Sequence, residues 1–291
     1  MSIILGPNQY GKAENRVVRI YRDSSRHEVR DVNVSTSLRG DFNAAYTHND
    51  LHGVLPTDTQ KNTCYAYAKE KGIGEIEDYA LALARHFVSD LPAVTSARVI
   101  VDEYAWERLG EHTFIRSGQE VRTAQVTVED DRQWVVSGLK DLVVMKSGGA
   151  QFQGFLRDDY TTIQETPDRV MATSLVVRWR YASAHLDWGK AYTDIRSILL
   201  ARFGEVQGLA LQQTLWEMGK AVLQARPEVA EVMLSAPNRH HFAVDLSPFG
   251  LDNPNEVLRC EDRPYAVIEC NVTRDDAPDA GPAWQTVPGL S

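Results

Sequence analysis

The sequence predicts an α+β protein: an antiparallel sheet with helices on one face, built from two modules of order ββααββ. Three observations carry this reading. Strand-like runs rich in β-branched residues open each half, a pair of helical segments follows each, and strand patterning returns after each pair. Residues 1–137 form the first expected module and 138–291 the second.

In the first module, Arg16-Val-Val-Arg-Ile-Tyr-Arg22 is β-branched and aromatic, and beyond the charged stretch Asp23 to His27, Val32, Val34 and Thr36 alternate with polar neighbours. An antiparallel hairpin is expected. In Pro56-Thr57-Asp58-Thr59-Gln60, Thr57 and Gln60 have capping-box spacing, and a helix runs on through Tyr65 and Ala68. A second helix spans Glu75 to Phe87, with Ile76, Tyr79, Ala80, Leu83 and Phe87 on one face. After Pro92, strands are expected around Ala97 to Trp106 and Val121 to Val128.

The second module repeats this order without visible sequence similarity. Strands are expected at Gly138 to Met145 and Met171 to Tyr181, helices at Trp188 to Phe203 and Leu209 to Ala225, and strands at Val229 to Ser235 and His240 to Leu246. From Arg274 onward the chain is rich in Asp, Pro, Ala and Gly, has no periodicity, and reads as a mobile tail. Open sheet edges favour pairing with another subunit, so oligomerisation is expected.

Composition narrows the function. A 291-residue chain with 43% hydrophobic and 24% charged residues has the balance of a soluble globular protein. Its net charge of −9, with no basic run, argues against a nucleic-acid partner, which requires clustered Lys and Arg. Cys64, Cys260 and Cys270 lack CxxC spacing and fit reduced thiols. The N-terminal apolar patch is too short for a signal or membrane anchor, and the ending Pro-Gly-Leu-Ser differs from the peroxisomal Ser-Lys-Leu, so a cytoplasmic location is expected. GxGxxG, Walker A and HExxH motifs are absent. His240 and His241 are adjacent in a strand-like stretch and face opposite sides, so they cannot chelate one ion together.

Five segments resemble the urate oxidase family: Tyr10-Gly11-Lys12; Pro56 through Thr63; Gln151-Phe152-Gln153-Gly154-Phe155-Leu156-Arg157-Asp158 on to Asp168-Arg169; Leu211-Gln212; and Pro237-Asn238-Arg239-His240-His241-Phe242. They occur in the family's order across nearly the whole chain. The resemblance implies a tunnelling fold with tandem modules, two chains closing a sixteen-stranded barrel and two barrels forming a homotetramer whose active sites lie between subunits. It also implies oxidation of urate by O2 and water to 5-hydroxyisourate and hydrogen peroxide, with no cofactor and no metal. The sequence departs from eukaryotic relatives at His241, at Pro167 and in its ending, none of them in the implied substrate-contacting set.

The implied site suits a flat, anionic, hydrogen-bonding heterocycle. Arg169 offers a planar fork of donors, although an Arg met alone reads more simply as a surface ion-pair partner. Gln212 combines donor and acceptor to read the ring edge, Leu211 presents its backbone N–H, and Phe152 offers a stacking face. Thr57 and Asp58 stand at a helix start, where free N–H groups favour an anion. By resemblance Lys12, with Thr57 and His240, relays protons, while Asn238 and Thr57 hold O2 or water above the ring. Without the family match, Lys12 is a solvent-facing lysine and His240 a structural histidine. The competing readings are a related enzyme acting on a pterin or GTP, which would anchor the heterocycle with Glu and often use zinc, and a non-catalytic purine-binding homologue, which would be expected to lack Lys12, Thr57 or His240.

Overall fold

The computed structural model describes residues 2–184, 186–208, 210–261 and 263–285. The chain divides into two units: the first combines the chain up to Gly138 with Arg180–Lys190 and the segment from Pro278, and the second comprises Leu139–Trp179 and Ala191–Ala277.

In the first unit the expected hairpin is β1 (Tyr10–Tyr21) and β2 (Glu28–Gly40). There follow a short α1 (Asn43–Thr47), α2 (Thr57–Glu70), α3 (Ile76–Ser89), β3 (Val94–Glu103), a small hairpin of β4 (Trp106–Arg108) and β5 (Phe114–Arg116), β6 (Val121–Glu129), and the start of β7 (Arg132–Phe152). The sheet order is β1-β2-β3-β6-β7, with the first three pairings antiparallel. Helix α2 packs on β1, and α3 on β3 and β6. The face predicted for α3 is the one buried: Ile76, Tyr79, Ala80, Leu83 and Phe87 all lie in the core. Full burial of each large apolar side chain contributes about 1.5–3 kcal/mol, so this stripe holds the helix to the sheet. Trp106, expected to continue β3, begins the separate β4 hairpin instead. Its indole Nε1–H donates to the buried Asp31 carboxylate at 2.9 Å, which also accepts two bonds from Arg16, at 2.5 and 2.7 Å.

The second unit contains the rest of β7, β8 (Thr166–Tyr181), α4 (Trp188–Glu205), α5 (Leu211–Ala225), β9 (Val229–Ala243), β10 (Leu258–Glu261) and β11 (Val267–Thr273), allowing for the residues of β8 and α4 that fall in the first. Strand β9 follows β8 in the sheet and pairs antiparallel with both β10 and β11. Helix α5 packs on β9 and β11, so closely that a Cβ on Gly219 would lie 2.6 Å from Val272. Leu209, the expected first residue of this helix, lies outside the described residues.

One expectation needs correction. The segments 229–235 and 240–246 are not two strands: β9 runs unbroken through Pro237 to Ala243, and β11 is its antiparallel partner. Proline removes only one donor from the ladder; the next N–H, of Asn238, donates to Ala266 at 2.8 Å, and the Pro237 carbonyl accepts the Thr173 hydroxyl at 2.8 Å. The described part of the tail makes hydrogen bonds within the first unit. Arg180 donates to the Pro278 carbonyl at 2.8 Å, Arg98 to that of Pro282 at 3.1 Å and Gln125 to that of Ala283 at 2.6 Å, with Ala283 buried. Buried donors need acceptors, and an irregular segment supplies them without any periodic signal. Residues 286–291 lie outside the described residues. Among the described residues, no helix is long and apolar enough to cross a membrane.

Candidate functional site

The residues singled out from the sequence divide between the units. Lys12, Thr57 and Asp58 belong to the first, and Phe152, Arg169, Leu211, Gln212, Asn238 and His240 to the second.

In the first unit, Thr57 opens α2 and Pro56 occupies the N-cap position with no side-chain cap. The expected capping box is therefore not made. Pro56 has no N–H for Gln60 to bond, and the fully buried Gln60 instead accepts the Thr36 hydroxyl with Oε1 at 2.7 Å and donates from Nε2 to the Leu55 carbonyl at 3.5 Å. Without a cap, the N–H groups of the first turn keep their pull on an anion. The Asp58 carboxylate accepts from Lys61 and, at 3.0 Å, from Asn62. Lys61 holds its pKa below the usual carboxylate range, and the charge of Lys12 adds to the effect. Lys12 is half-buried on β1, and its N–H donates to Thr36 Oγ1 at 3.3 Å.

In the second unit, the Arg169 guanidinium on β8 lies over the Phe152 ring at the end of β7, 4.5 Å from its centroid. Burial lowers its pKa, and its Nε is buried without a hydrogen-bond partner. Phe155 stacks on Phe152 with centroids 4.7 Å apart and planes at 20°, and Arg157 lies over Phe155 at 4.9 Å. Leu211 and Gln212 open α5, whose N-cap position is Ala210, again without a side-chain cap. Leu211 is buried and Gln212 exposed, so the helix is anchored by one residue and presents the amide of the next. On β9, Asn238 Nδ2 and His240 Nδ1 are 3.3 Å apart; with the amide donating, the proton of a neutral His240 ring sits on Nε2. His241 instead donates from Nδ1 to the carbonyl of Arg239, at 2.9 Å. Among the described residues, no group of three or more His, Cys, Asp or Glu side chains is arranged to hold a metal ion.

Sequence reasoning gave no site role to Ser35, to Thr36 or to Phe155, which lies in one of the resembling segments, and did not foresee the side-chain use of Gln60. Gly11 was the available signal for the first two, since glycine within a strand marks a bulge or a close backbone approach.

Comparison with known proteins agrees with the implied family. A family model described as Uricase matches residues 8–127 and 135–269. A uricase of Arthrobacter globiformis is 46% identical over 290 residues, covering 99% of this chain and 96% of the relative. A uricase of Danio rerio is 34% identical over 278 residues, covering 91% and 93%. The crystal structure of the Arthrobacter globiformis uricase matches with a TM-score of 0.95 over 98% of this chain and 100% of that one. A Bacillus sp. TB-90 urate oxidase structure, at 23% identity, shares the fold with a TM-score of 0.79 over 92% of this chain and 100% of its own. On the family model, the full-length relatives and the fold together, the chain belongs to the uricase family, the enzymes that oxidise urate.

Proposed function

We propose that urate binds as its monoanion against Arg169 and Gln212, stacked on Phe152, and that Lys12, Thr57 and His240 move protons while O2 oxidises the ring. The observation that carries this reading is the Arg169–Phe152 pair: a half-buried guanidinium held over an aromatic face at 4.5 Å, with a buried Nε that lacks a partner. An unpaired buried donor is costly, and an anionic heterocycle relieves that cost.

The remaining roles follow from chemistry. Gln212 reads the ring edge with donor and acceptor, and the N–H groups at the start of α5, including that of Leu211, face the substrate. Asp58 contributes its backbone N–H rather than its carboxylate, which Lys61 and Asn62 already engage and which would repel an anion. Lys12 and Thr57 take a proton from urate, directly or through water, to give an electron-rich dianion. One electron passes from the dianion to O2, the urate radical and superoxide combine with a proton as a hydroperoxide at C5, and water then displaces hydrogen peroxide. Atoms balance as urate, O2 and water giving 5-hydroxyisourate and hydrogen peroxide. Asn238 and Thr57 hold O2 and then water, and His240 receives or orients the proton. The ring is itself the reductant, so this scheme calls for no metal or organic cofactor.

The assembly is a homotetramer with active sites completed between subunits. It is supported by apolar side chains that one chain leaves almost wholly exposed, such as Leu156 at 95% and Tyr160 at 90%. A cytoplasmic location fits three free cysteines. The test is loss of urate absorbance in buffer containing a chelator, with O2 and peroxide followed together. Equimolar loss of urate and O2 with peroxide appearing supports the scheme; turnover that needs added metal removes it.

A further inference from the structure

We propose that a β-bulge in β1, closed by Ser35, Thr36 and Gln60, is the device that turns Lys12 toward the start of α2, making Thr36 and Gln60 positioning residues for proton transfer. The inference rests on Lys12 being the proton-transfer group.

The argument begins with parity. Successive side chains of a strand face opposite sides, so a shift of one residue reverses every side chain beyond it. From Tyr21 back to Asn15 the covered residues of β1 are odd-numbered, with Val17 2% and Asn15 7% exposed. Toward the N-terminus the partly covered residues are the even-numbered Lys12 and Tyr10, while Gly11 and Ala13 are exposed. The switch lies where the register jumps: Lys12 pairs with Thr36 and Asn15 with Val34, leaving Ala13 and Glu14 opposite Ser35 alone. Glu14 has φ of 55°, a conformation that residues with side chains rarely adopt, and its N–H donates to the Ser35 hydroxyl at 2.9 Å. Without the extra residue, Lys12 would face away from the helix that covers Val17 and Asn15. Bulges re-aim side chains in this way.

The bulge alone would leave Lys12 free to slide relative to α2. Two buried side chains prevent this. The Thr36 hydroxyl accepts the Lys12 N–H at 3.3 Å and donates to Gln60 Oε1 at 2.7 Å, and Gln60 lies one turn after Thr57 on the same helix. Thr36 is 3% exposed and Gln60 fully buried, so water cannot substitute for either bond. The chain Lys12 N–H to Thr36 to Gln60 thus sets the backbone carrying Lys12 against the turn carrying Thr57. Beside the larger effect of Lys61, the charge of Lys12 also lowers the pKa of Asp58, next to Thr57.

The test compares Thr36→Val, Thr36→Ser, Gln60→Met and Lys12→Met in the purified assembled enzyme, with circular dichroism and gel filtration confirming the fold. The expected result is a kcat lowered tenfold or more in Thr36→Val and Gln60→Met, with KM changed less than threefold. Their solvent deuterium isotope effect on kcat rises, and Thr36→Ser, which keeps the hydroxyl, restores most of the rate. Folded Thr36→Val or Gln60→Met with the parent kcat, or with KM raised instead, overturns the positioning role. If Thr36→Val does not fold, Gln60→Met decides alone. Lys12→Met at the parent rate would overturn the assignment of Lys12 itself, and the positioning role with it, which separates that failure from a failure of positioning alone.

Discussion

Replacing Gly11 by Ala tests how closely the site depends on the β1–β2 contact. A Cβ at position 11 would lie 1.8 Å from the Thr36 carbonyl oxygen, 2.7 Å from its carbonyl carbon and 2.9 Å from the Ser37 Cα. All three atoms are backbone, so no rotamer change relieves the clash. A carbon to oxygen contact needs about 3.3 Å, so the strands must part by roughly 1.5 Å at the residue before Lys12. Displacing a catalytic group by about 1 Å can cost 10²-fold in rate, and overpacking costs about 1–3 kcal/mol of stability. The control is Gly40→Ala at the far end of β2, where a Cβ would meet the Ala93 carbonyl oxygen at 1.9 Å. Its steric penalty is similar, but it lies beyond the pairing that carries Lys12. Initial rates against urate concentration, normalised to folded enzyme, together with thermal unfolding, give both quantities. Both variants should lose stability, and Gly11→Ala alone should lose about two orders of magnitude in kcat. Folded Gly11→Ala with kcat within about twofold of the parent, or Gly40→Ala losing as much kcat, would refute the reasoning.

Three further outcomes are expected. Arg169→Ala and Gln212→Ala should weaken urate binding; loss of a charge-assisted bond at Arg169 is worth about 1.5–3 kcal/mol, a KM rise of roughly 10–100-fold, and an unchanged KM in both would remove the substrate assignment. Asp31→Asn should lower stability by about 2 kcal/mol at neutral pH, through lost bonds to Arg16 and weakened contact with Trp106. Burial opposes ionisation of Asp31, but its bonds to Arg16 and Trp106 outweigh this and leave its pKa lowered, so its contribution is present above the unfolded carboxylate value and is lost as pH falls through the lower folded value. Unfolding curves of the two proteins should therefore converge in acid, and a gap that persisted below both values would contradict the account. Leu83→Ala, in the fully buried stripe of α3, should cost about 2–5 kcal/mol and shift the urea midpoint while leaving KM unaltered.

Where apolar periodicity reports burial directly, the sequence by itself was sufficient. It located α3 and its buried face, the first hairpin and the α+β class, and the resemblance in five segments pointed to the family. Where it fell short, the deciding contact lay far away in the chain. Thr57 and Gln60 have the spacing of a capping box, yet Pro56 takes the N-cap position and has no N–H to offer, so the buried Gln60 amide bonds Thr36 on β2 and the Leu55 carbonyl. The expected strands stop at Ser235 and resume at His240, but the Asn238 N–H finds Ala266 and β9 runs through Pro237. The tail has no pattern of its own, and the acceptors that its described part offers to Arg98, Gln125 and Arg180 left no sequence signal. Lys12 is the sharpest case. Alternation counted from Val17 puts it on the wrong face, and only the register jump opposite Ser35, a property of two paired strands rather than of either one, returns it to the side of the helix. Local pattern therefore determined the elements, and the family resemblance nominated the site residues, while pairing between segments far apart in the chain decided which face of β1 carries Lys12.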